Sequence, residues 1–334
     1  MNKNFSKSLL GCYEKCGRDL PWRVKGGAHY NPYVVLVSEI MLQQTTVKTV
    51  LSYFDRFISR FGNVEALANA DLEEVYLYWQ GLGYYTRAKS LWQSANMIVH
   101  DFKGVFPRDK KDVLKLKGFG PYTVASFMAF AYNAPETVID GNVIRVISRL
   151  YHLTKPQDEE MPKIKKYADE LTDQEHSADY ASAMMDLGAT VCLPKKPACD
   201  ICPISECCLS KGAIDVEDIP PKKKLLKKVF NGYVYLIEND KGDVLIRKRT
   251  EKGLLSGLYE FIWSEKPLFK KALDTKQSVS HVFTHINMNL KIYKISQNEV
   301  YQDGFFVAKN ELQNYAFSTL MQKVMKMHGL IKKF

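Results

Sequence analysis

The chain has 334 residues, 46% of them hydrophobic, which allows two or three domains that each bury a core. No apolar run approaches the roughly 18 residues of a membrane span, so we expect no membrane contact. The net charge of +10 is uneven, because 26 Lys and Arg face 27 Asp and Glu through Pro221, whereas 21 face 10 from Lys222 onward. A polyanionic partner is favoured for the last third, although a merely soluble basic domain has the same balance.

The first elements are helical. Apolar residues at Phe5, Leu9 and Tyr13 predict a short helix, and a second helix pattern follows from Pro32 to Leu42. In that second helix Glu39 is the one ionisable group among apolar neighbours. Burial there would raise the carboxyl pKa and keep a proton available near neutral pH. The alternative is a Glu that points outward from a half-buried helix.

Further helix patterns lead to the sequence Gly81-Leu82-Gly83-Tyr84-Tyr85. Glycines followed by paired aromatic residues are typical of a helix C-terminus with core tyrosines. From Thr86 the pattern predicts another helix.

The stretch from Leu114 to Val146 predicts a hairpin between two helices. Gly118 and Gly120 flank one apolar residue, and Pro121 suits the first turn of a helix. Such glycines let the backbone approach a ligand closely, and the free N–H groups of the next helix favour an anion, for which DNA phosphate is the natural candidate. Asp140 comes 18 residues after Tyr122, directly before an amphipathic run. A plain tight turn and a plain helix N-cap remain the alternatives.

Four of the seven cysteines are spaced as a ligand set, with six, two and five residues between successive members. They are Cys192, Cys199, Cys202 and Cys208. Thiolates so close in sequence can surround an iron–sulfur cluster, while zinc and redox-active thiols are the alternatives. Cysteines used in this way indicate a reducing, cytoplasmic location.

The last third changes texture. Residues 212–228 are too polar to pack and predict a linker, with Lys222, Lys223 and Lys224 in it. Alternating apolar residues at 233–237 and 243–247, separated by Asn239 to Gly242, predict a β-hairpin. A smaller α/β domain follows from residue 229.

Several of these segments together resemble the MutY-type adenine DNA glycosylases of the endonuclease III superfamily. The resemblance lies in the Leu20–Arg23 segment, the sequence SEIMLQQT at 38–45, the glycine hairpin, Asp140 and the cysteine spacing. It implies an all-α helix-hairpin-helix core with an iron–sulfur loop, plus an α/β (α+β) Nudix-like C-terminal domain. The implied domains are 1–29 with 138–211 for the cluster, 30–137 for the hairpin, a linker at 212–228 and 229–334 for 8-oxoguanine recognition.

The resemblance also implies roles at the reacting base. Glu39 would protonate adenine at N7, Asp140 would serve the sugar carbon, and Asn142 would orient a carboxylate. Lyase members of the superfamily carry Lys where this chain has Tyr122, so a strand nick is not expected. No acidic Nudix signature is present, so pyrophosphatase activity is not expected either.

Contacts to DNA and to 8-oxoguanine are implied for ten further residues. They are Arg23, Gln44, Thr45, Leu82, Tyr84, Gly118, Gly120, Phe283, Thr284 and His285. Leu82 and Tyr84 would enter the base stack as a wedge. Thr284 departs from the family, in which this loop reads Phe-Ser-His. Compared with Ser, Thr keeps the hydroxyl and adds a methyl group.

The four cysteines are, by the same resemblance, the ligands of a [4Fe-4S] cluster. The expected partner is double-stranded DNA with A:8-oxoguanine or A:G mispairs, bound by a monomer at the nucleoid, with a sliding clamp or other repair proteins as further contacts. A thymine glycosylase for T:G mispairs and a catalytically silent DNA-binding module are the rival functions. Asp186 lies either near the base pocket or in a structural role.

Overall fold

The computed structural model describes residues 2–24, 30–221, 227–296 and 303–331. The chain forms two compact units, one with residues Met1–Asn69 and Gln93–Lys224 and the other with Ala70–Trp92 and Leu225–Phe334. Within the described ranges, no helix is both long and apolar enough to cross a membrane. Lys222, Lys223 and Lys224 of the predicted linker lie outside the described residues. The domain boundaries expected from the sequence remain predictions.

The first unit is helical. Its elements are α1 (Asn2–Cys16), α2 (Pro32–Leu42), α3 (Val47–Arg60), α4 (Val64–Ala68), α7 (Lys110–Val113), α8 (Pro121–Tyr132), α9 (Gly141–Leu150), α10 (Gln157–Leu171) and α11 (Ser177–Asp186). Between α4 and α7 in the chain lie α5 (Leu72–Trp79) and α6 (Thr86–His100).

Polar residues determine where the functional helices begin. Asn31 caps α2 by accepting a hydrogen bond from the Tyr33 N–H at 2.9 Å, and Pro32 follows in the first turn. Thr46 caps α3 in the same way. The apolar face of α9 then packs into the core, with Val146, Ile147 and Leu150 at most 2% exposed. Capping and burial together hold the start of each helix in place.

The hairpin predicted between residues 114 and 121 is present. α7 ends at Val113, and Gly118 has φ 81°, a left-handed conformation that favours glycine. Gly120 stands directly before α8, with Pro121 as the first helical residue. The Gln43 side-chain amide donates to the Gly118 carbonyl at 3.2 Å and to the Thr123 hydroxyl at 3.1 Å, which ties the hairpin to the end of α2.

The second unit contains one seven-stranded sheet. Its elements are β1 (Lys228–Glu238), β2 (Val244–Lys248), β3 (Tyr259–Glu260), β4 (Ile262–Ser264), β5 (Leu273–Val282), β6 (Ile286–Ser296), β7 (Phe305–Val307) and α12 (Thr319–Met327). The strand order is β3-β2-β1-β6-β5, with β4 paired to β1 and β7 to β2. β1 runs parallel to β6, and the other pairs are antiparallel. The hairpin predicted between 233 and 247 is confirmed as β1 and β2.

Both faces of β1 are covered. Val234 and Leu236 pack in one apolar cluster, while Tyr235 and Ile237 pack in another on the opposite face. A strand buried on both faces has a continuous apolar sequence rather than strict alternation, as Tyr233–Ile237 has. α12 lies against the first cluster through Leu320, Met321 and Val324, among others.

Candidate active site and reader cleft

An open cleft of about 710 Å³ lies in the helical unit. All four residues expected at the reacting base line it, together with three that are expected to contact DNA or 8-oxoguanine. These are Arg23, Glu39, Gln44, Thr45, Tyr122, Asp140 and Asn142. They come from four separate parts of the sequence, so only the folded chain brings them together.

Glu39 is the buried carboxyl group of this cleft. It lies on α2 and is 8% exposed. Burial raises its pKa to about 7, and the charge of Asp140 adds to that, whereas a hydrogen bond from Ser126 and the charge of Arg23 act in the opposite direction. A small cavity lined by Trp22, Tyr30 and Phe130, among others, borders the same carboxyl. Near neutral pH a substantial fraction of Glu39 is therefore protonated and able to donate.

Asp140 is both the N-cap of α9 and a cleft residue. Its Oδ1 accepts from the Val143 N–H at 2.7 Å, and its Oδ2 accepts from Asn142 Nδ2 at 2.8 Å. Asn142 is held in turn by Arg145, whose Nη2 donates to Asn142 Oδ1 at 2.9 Å and to the Gly188 carbonyl at 2.6 Å. The carboxylate is thus fixed in position before any substrate binds.

Two arginines share a third carboxylate beside the cleft. Asp186 accepts from the Arg18 N–H at 2.8 Å and from Arg18 Nε at 2.7 Å. Both of its oxygens also accept from Arg23 Nη1, at 2.8 and 2.9 Å. Arg23 is therefore hydrogen-bonded to Asp186, and its expected contact with DNA remains a prediction. Arg18 was missed by the sequence analysis, because an arginine at a helix end gives no sign of its distant partner.

Tyr122 lies at the start of α8, where its surface is open to the cleft. Burial of the phenol, and then the charges of Glu39 and Asp140, raise the pKa of Tyr122 well above its usual range. The hydroxyl therefore stays protonated at any physiological pH. Gln44 lines the same cleft with φ 55°, a conformation that is strained for a residue with a side chain. Thr45 follows it, and its hydroxyl donates to the Gln43 carbonyl at 3.3 Å.

All four cysteines of the predicted ligand set line one cavity. They share it with apolar residues of α9 and with Arg149, which is 2% exposed. Arg149 donates to the Leu193 carbonyl at 2.6 Å and to the Pro194 carbonyl at 3.0 Å, so it fastens the cysteine loop to α9. Among the residues that the structure describes, no group of three His, Cys, Asp or Glu side chains is arranged to hold a single metal ion.

A second cleft, of about 350 Å³, lies in the sheet-containing unit. The Phe283–His285 turn between β5 and β6 lines it, together with Tyr84 and Tyr85. The hydroxyls of Tyr84 and Thr284 are hydrogen-bonded to each other. Two of the loops that the resemblance assigns to 8-oxoguanine therefore meet at one cleft, although Tyr84 and Thr284 are 200 residues apart in sequence. Gln44 and Thr45, which it also assigns to that base, line the first cleft instead.

The two wedge residues differ in exposure. Tyr84 is 44% exposed, with φ 48° and with Arg87 over its ring at 5.3 Å from the centroid. Leu82 is only 5% exposed. Entry of Leu82 into a base stack requires its loop to move, and entry of Tyr84 requires its contacts with Thr284 and Arg87 to rearrange. Both wedge roles remain predictions.

The backbone of Phe317 is hydrogen-bonded to residues on both sides of Leu82 and Tyr84. The Gln80 side chain accepts from the Phe317 N–H at 2.9 Å, and the Tyr85 hydroxyl donates to the Phe317 carbonyl at 3.2 Å. The sequence analysis did not connect these segments, because hydrogen bonds to a backbone leave no pattern in the sequence.

Comparison with known proteins agrees with this architecture. Residues 37–169 match the family described as HhH-GPD superfamily base excision DNA repair protein, and residues 233–327 match a NUDIX domain. A thermostable thymine-DNA glycosylase superimposes with a TM-score of 0.56 at 29% identity, over 63% of this chain and 96% of its own. The helical unit with its hairpin and carboxylate cleft is thus that of a helix-hairpin-helix DNA glycosylase.

Full-length relatives narrow the class. The adenine DNA glycosylase of Buchnera aphidicola subsp. Baizongia pistaciae is 31% identical, over 99% of this chain and 97% of the relative. That of Buchnera aphidicola subsp. Acyrthosiphon pisum is 32% identical, over 86% and 85% respectively. The chain belongs to the adenine DNA glycosylase family and acts in base excision repair.

Gly188 allows a direct test of how Asp140 is held. A Cβ at Gly188 would lie 2.5 Å from Asn142 Cβ and 3.0 Å from Asn142 Cα. We expect Gly188→Ala to displace Asn142 and slow single-turnover adenine release by about ten- to a hundredfold, the effect of small misplacements at reacting groups. Gly11→Ala is the control, because nothing lies within 4 Å of its added Cβ. Equal release by both variants would show that Asn142 does not position Asp140.

Proposed function

We propose that this enzyme removes adenine paired with 8-oxoguanine or guanine in double-stranded DNA, by hydrolysis alone and without cutting the strand. The observation that carries the proposal is the pair of carboxyl groups at one cleft, Glu39 buried and Asp140 held by hydrogen bonds. We expect the enzyme to act as a monomer in the cytoplasm, at the nucleoid, because cysteines used as cluster ligands suit a reducing compartment.

The chemistry follows from the different surroundings of the two carboxyls. The adenine nucleotide leaves the duplex at a cost of a few kcal/mol, which a mispair lowers. Glu39 then donates its proton to N7, so that adenine departs as a neutral base. Positive charge develops on the sugar, and the Asp140 carboxylate stabilises or captures it, as one carboxylate does in retaining glycosidases. Glu39, now ionised, activates the water that completes hydrolysis.

The absence of a nick follows from the residue at position 122. A lyase needs an amine that forms a Schiff base with the sugar. Tyr122 carries a phenol with a strongly raised pKa, which cannot form that bond. The proposal that hydrolysis is the whole reaction rests on this residue.

Recognition of the opposite base is assigned to the second cleft. Thr284 and His285 are exposed there, and Phe283 is half-buried. The Thr284 hydroxyl is hydrogen-bonded to that of Tyr84, so the Phe283–His285 turn and the proposed wedge residue are linked before DNA binds. The methyl group of Thr284 restricts its rotamers, which holds the hydroxyl in one direction.

The four cysteines would hold a [4Fe-4S] cluster. Four cysteine side chains around one cavity suit the group, and the Arg149 Nη1 atom lies 3.5 Å from Cys192 Sγ. The cluster would supply rigidity to a loop that carries Lys195 and Lys196. Arg145 connects this loop to the active site, because its Nε donates to the Cys192 carbonyl at 2.8 Å.

Of the predictions that test this proposed function, the first concerns the substrate. Single-turnover base release is measured on A:8-oxoguanine, A:G, T:G and A:T duplexes, with and without alkali. We expect fast loss of adenine opposite 8-oxoguanine, slower loss opposite guanine, and strand breaks only after alkali. Thymine release would instead assign the chain to the activity named for its structural neighbour. Breaks without alkali would contradict the hydrolytic mechanism, and no release at all would leave only a binding function.

The second prediction concerns Glu39. Glu39→Gln should bind mispaired DNA and lose release by about a hundredfold or more, the usual contribution of a general acid. Since the acid form is required and its pKa is about 7, the wild-type rate should fall as the pH rises through 7. Glu159→Gln, on the exposed part of α10, is the control and should behave as wild type. Undiminished release by the Glu39→Gln variant would remove this carboxyl from the mechanism.

The third prediction concerns the opposite base. Thr284→Val keeps the shape of the side chain and removes the hydroxyl, so the preference for 8-oxoguanine over guanine should fall by up to about tenfold, the worth of one hydrogen bond. Thr284→Ser keeps the hydroxyl and should retain the preference. The ratio of single-turnover rates on the two duplexes is the measurement. An unaltered ratio in the Thr284→Val variant would mean that another group reads the guanine.

The fourth prediction concerns the metal. Purified protein should contain iron and acid-labile sulfide in equal amounts. Cys202→Ser should lose both, while Cys207→Ser should keep them, because Cys207 lies outside the predicted ligand set. Zinc without sulfide in the wild-type protein would exclude the cluster.

A further inference from the structure

Two cysteines outside the predicted ligand set meet on the last turn of α1. Cys12 and Cys16 are four residues apart and therefore lie on one face of the helix. Their sulfur atoms are 3.0 Å apart, only about 1 Å more than the roughly 2.05 Å of a disulfide bond. Cys16 Sγ also donates to the Cys12 carbonyl at 2.7 Å. The mechanism proposed above uses neither thiol.

The position of Cys16 makes closure of this pair feasible. A regular helix keeps Cβ atoms four residues apart at about 5–6 Å, whereas a disulfide needs about 3.5–4.5 Å. Cys16 is the last residue of α1 and is exposed, so the final turn can tighten without disturbing the turns before it. Reagents in solution reach its sulfur directly.

We propose that Cys12 and Cys16 form a redox-active dithiol that closes to an intrahelical disulfide by exchange with a low-molecular-weight disulfide. Cys16 as thiolate attacks one sulfur of the reagent, and the first thiol leaves with a proton. The Cys12 thiol, after loss of its own proton, attacks Cys16 Sγ and displaces the second thiol. Two protein thiols are oxidised and one disulfide is reduced to two thiols.

The order of attack follows from the surroundings of the two sulfurs. The hydrogen bond to Cys16, together with burial, raises the pKa of Cys12 to about 11. Cys12 is also less exposed than Cys16. Since the thiolate is the nucleophile, Cys16 reacts first and Cys12 resolves the mixed disulfide.

Formation of the disulfide would affect the active site through Asp186. Cys12, Cys16 and Asp186 line one small cavity. Arg18 comes two residues after Cys16, and its backbone N–H and its side chain both donate to Asp186, the same carboxylate that holds Arg23 in the cleft. Drawing Cys16 toward Cys12 pulls on Arg18, so the disulfide form should weaken this contact and release adenine more slowly.

Tryptic peptides give a direct test of the disulfide. Trypsin cuts after Lys15, so a disulfide would join the peptides 8–15 and 16–18, while open thiols would yield two separate alkylated peptides. The protein as purified is equilibrated with oxidised and reduced glutathione, alkylated and digested. We expect the joined pair to rise with the oxidised fraction and to vanish with dithiothreitol. Glutathione on peptide 16–18 without the joined pair, or alkylation of both thiols throughout, would overturn the proposal.

Single-thiol variants and activity complete the test. Cys12→Ser and Cys16→Ser should yield no joined pair, and their adenine release should be the same in oxidised and reduced buffer. In the wild-type protein we expect release to slow by about fivefold on oxidation, the change that losing one ordinary hydrogen bond brings, and to recover with dithiothreitol. A joined pair without any change in release would overturn the link through Arg18.

Discussion

The structure depends on one carboxyl group kept away from water. Glu39 lies on an apolar helix, and α2 and α8 pack closely around it. Burying a carboxylate without a full set of partners is unfavourable, so the group keeps its proton at a higher pH than a carboxyl in water does. In the proposed mechanism, the same burial that disfavours the charge supplies the acid.

The second carboxyl has the opposite surroundings. Asp140 accepts a backbone hydrogen bond at the start of a helix, where partial positive charge favours an anion. Arg145 extends this arrangement, because it bonds to Asn142 on one side and to the Cys192 carbonyl on the other. A change in the cysteine loop would therefore reach Asp140, the proposed catalytic carboxylate, through the side chains of Arg145 and Asn142. The predicted cluster would influence catalysis by holding Asp140 in position.

The second unit is built around contacts between distant segments. Residues 70–92 group with the C-terminal sheet through Gln80, Tyr85 and Phe317. The loop that carries the exposed Tyr84 is consequently anchored to a folded domain. A side chain proposed to push between bases requires such an anchor. Tyr84 and the Phe283–His285 turn thus line a single cleft.

Much of the local structure of this protein could be predicted from the sequence alone. The helix around Glu39, the glycine hairpin, the cap at Asp140 and the β-hairpin depend on near neighbours, and such local patterns are visible in the chain. The tertiary structure decided the rest. It placed Asp186 between Arg18 and Arg23, buried Leu82 while leaving Tyr84 exposed, and joined Tyr84 to Thr284. These outcomes depend on which distant residues share a surface, and no periodicity or spacing in a single sequence records that.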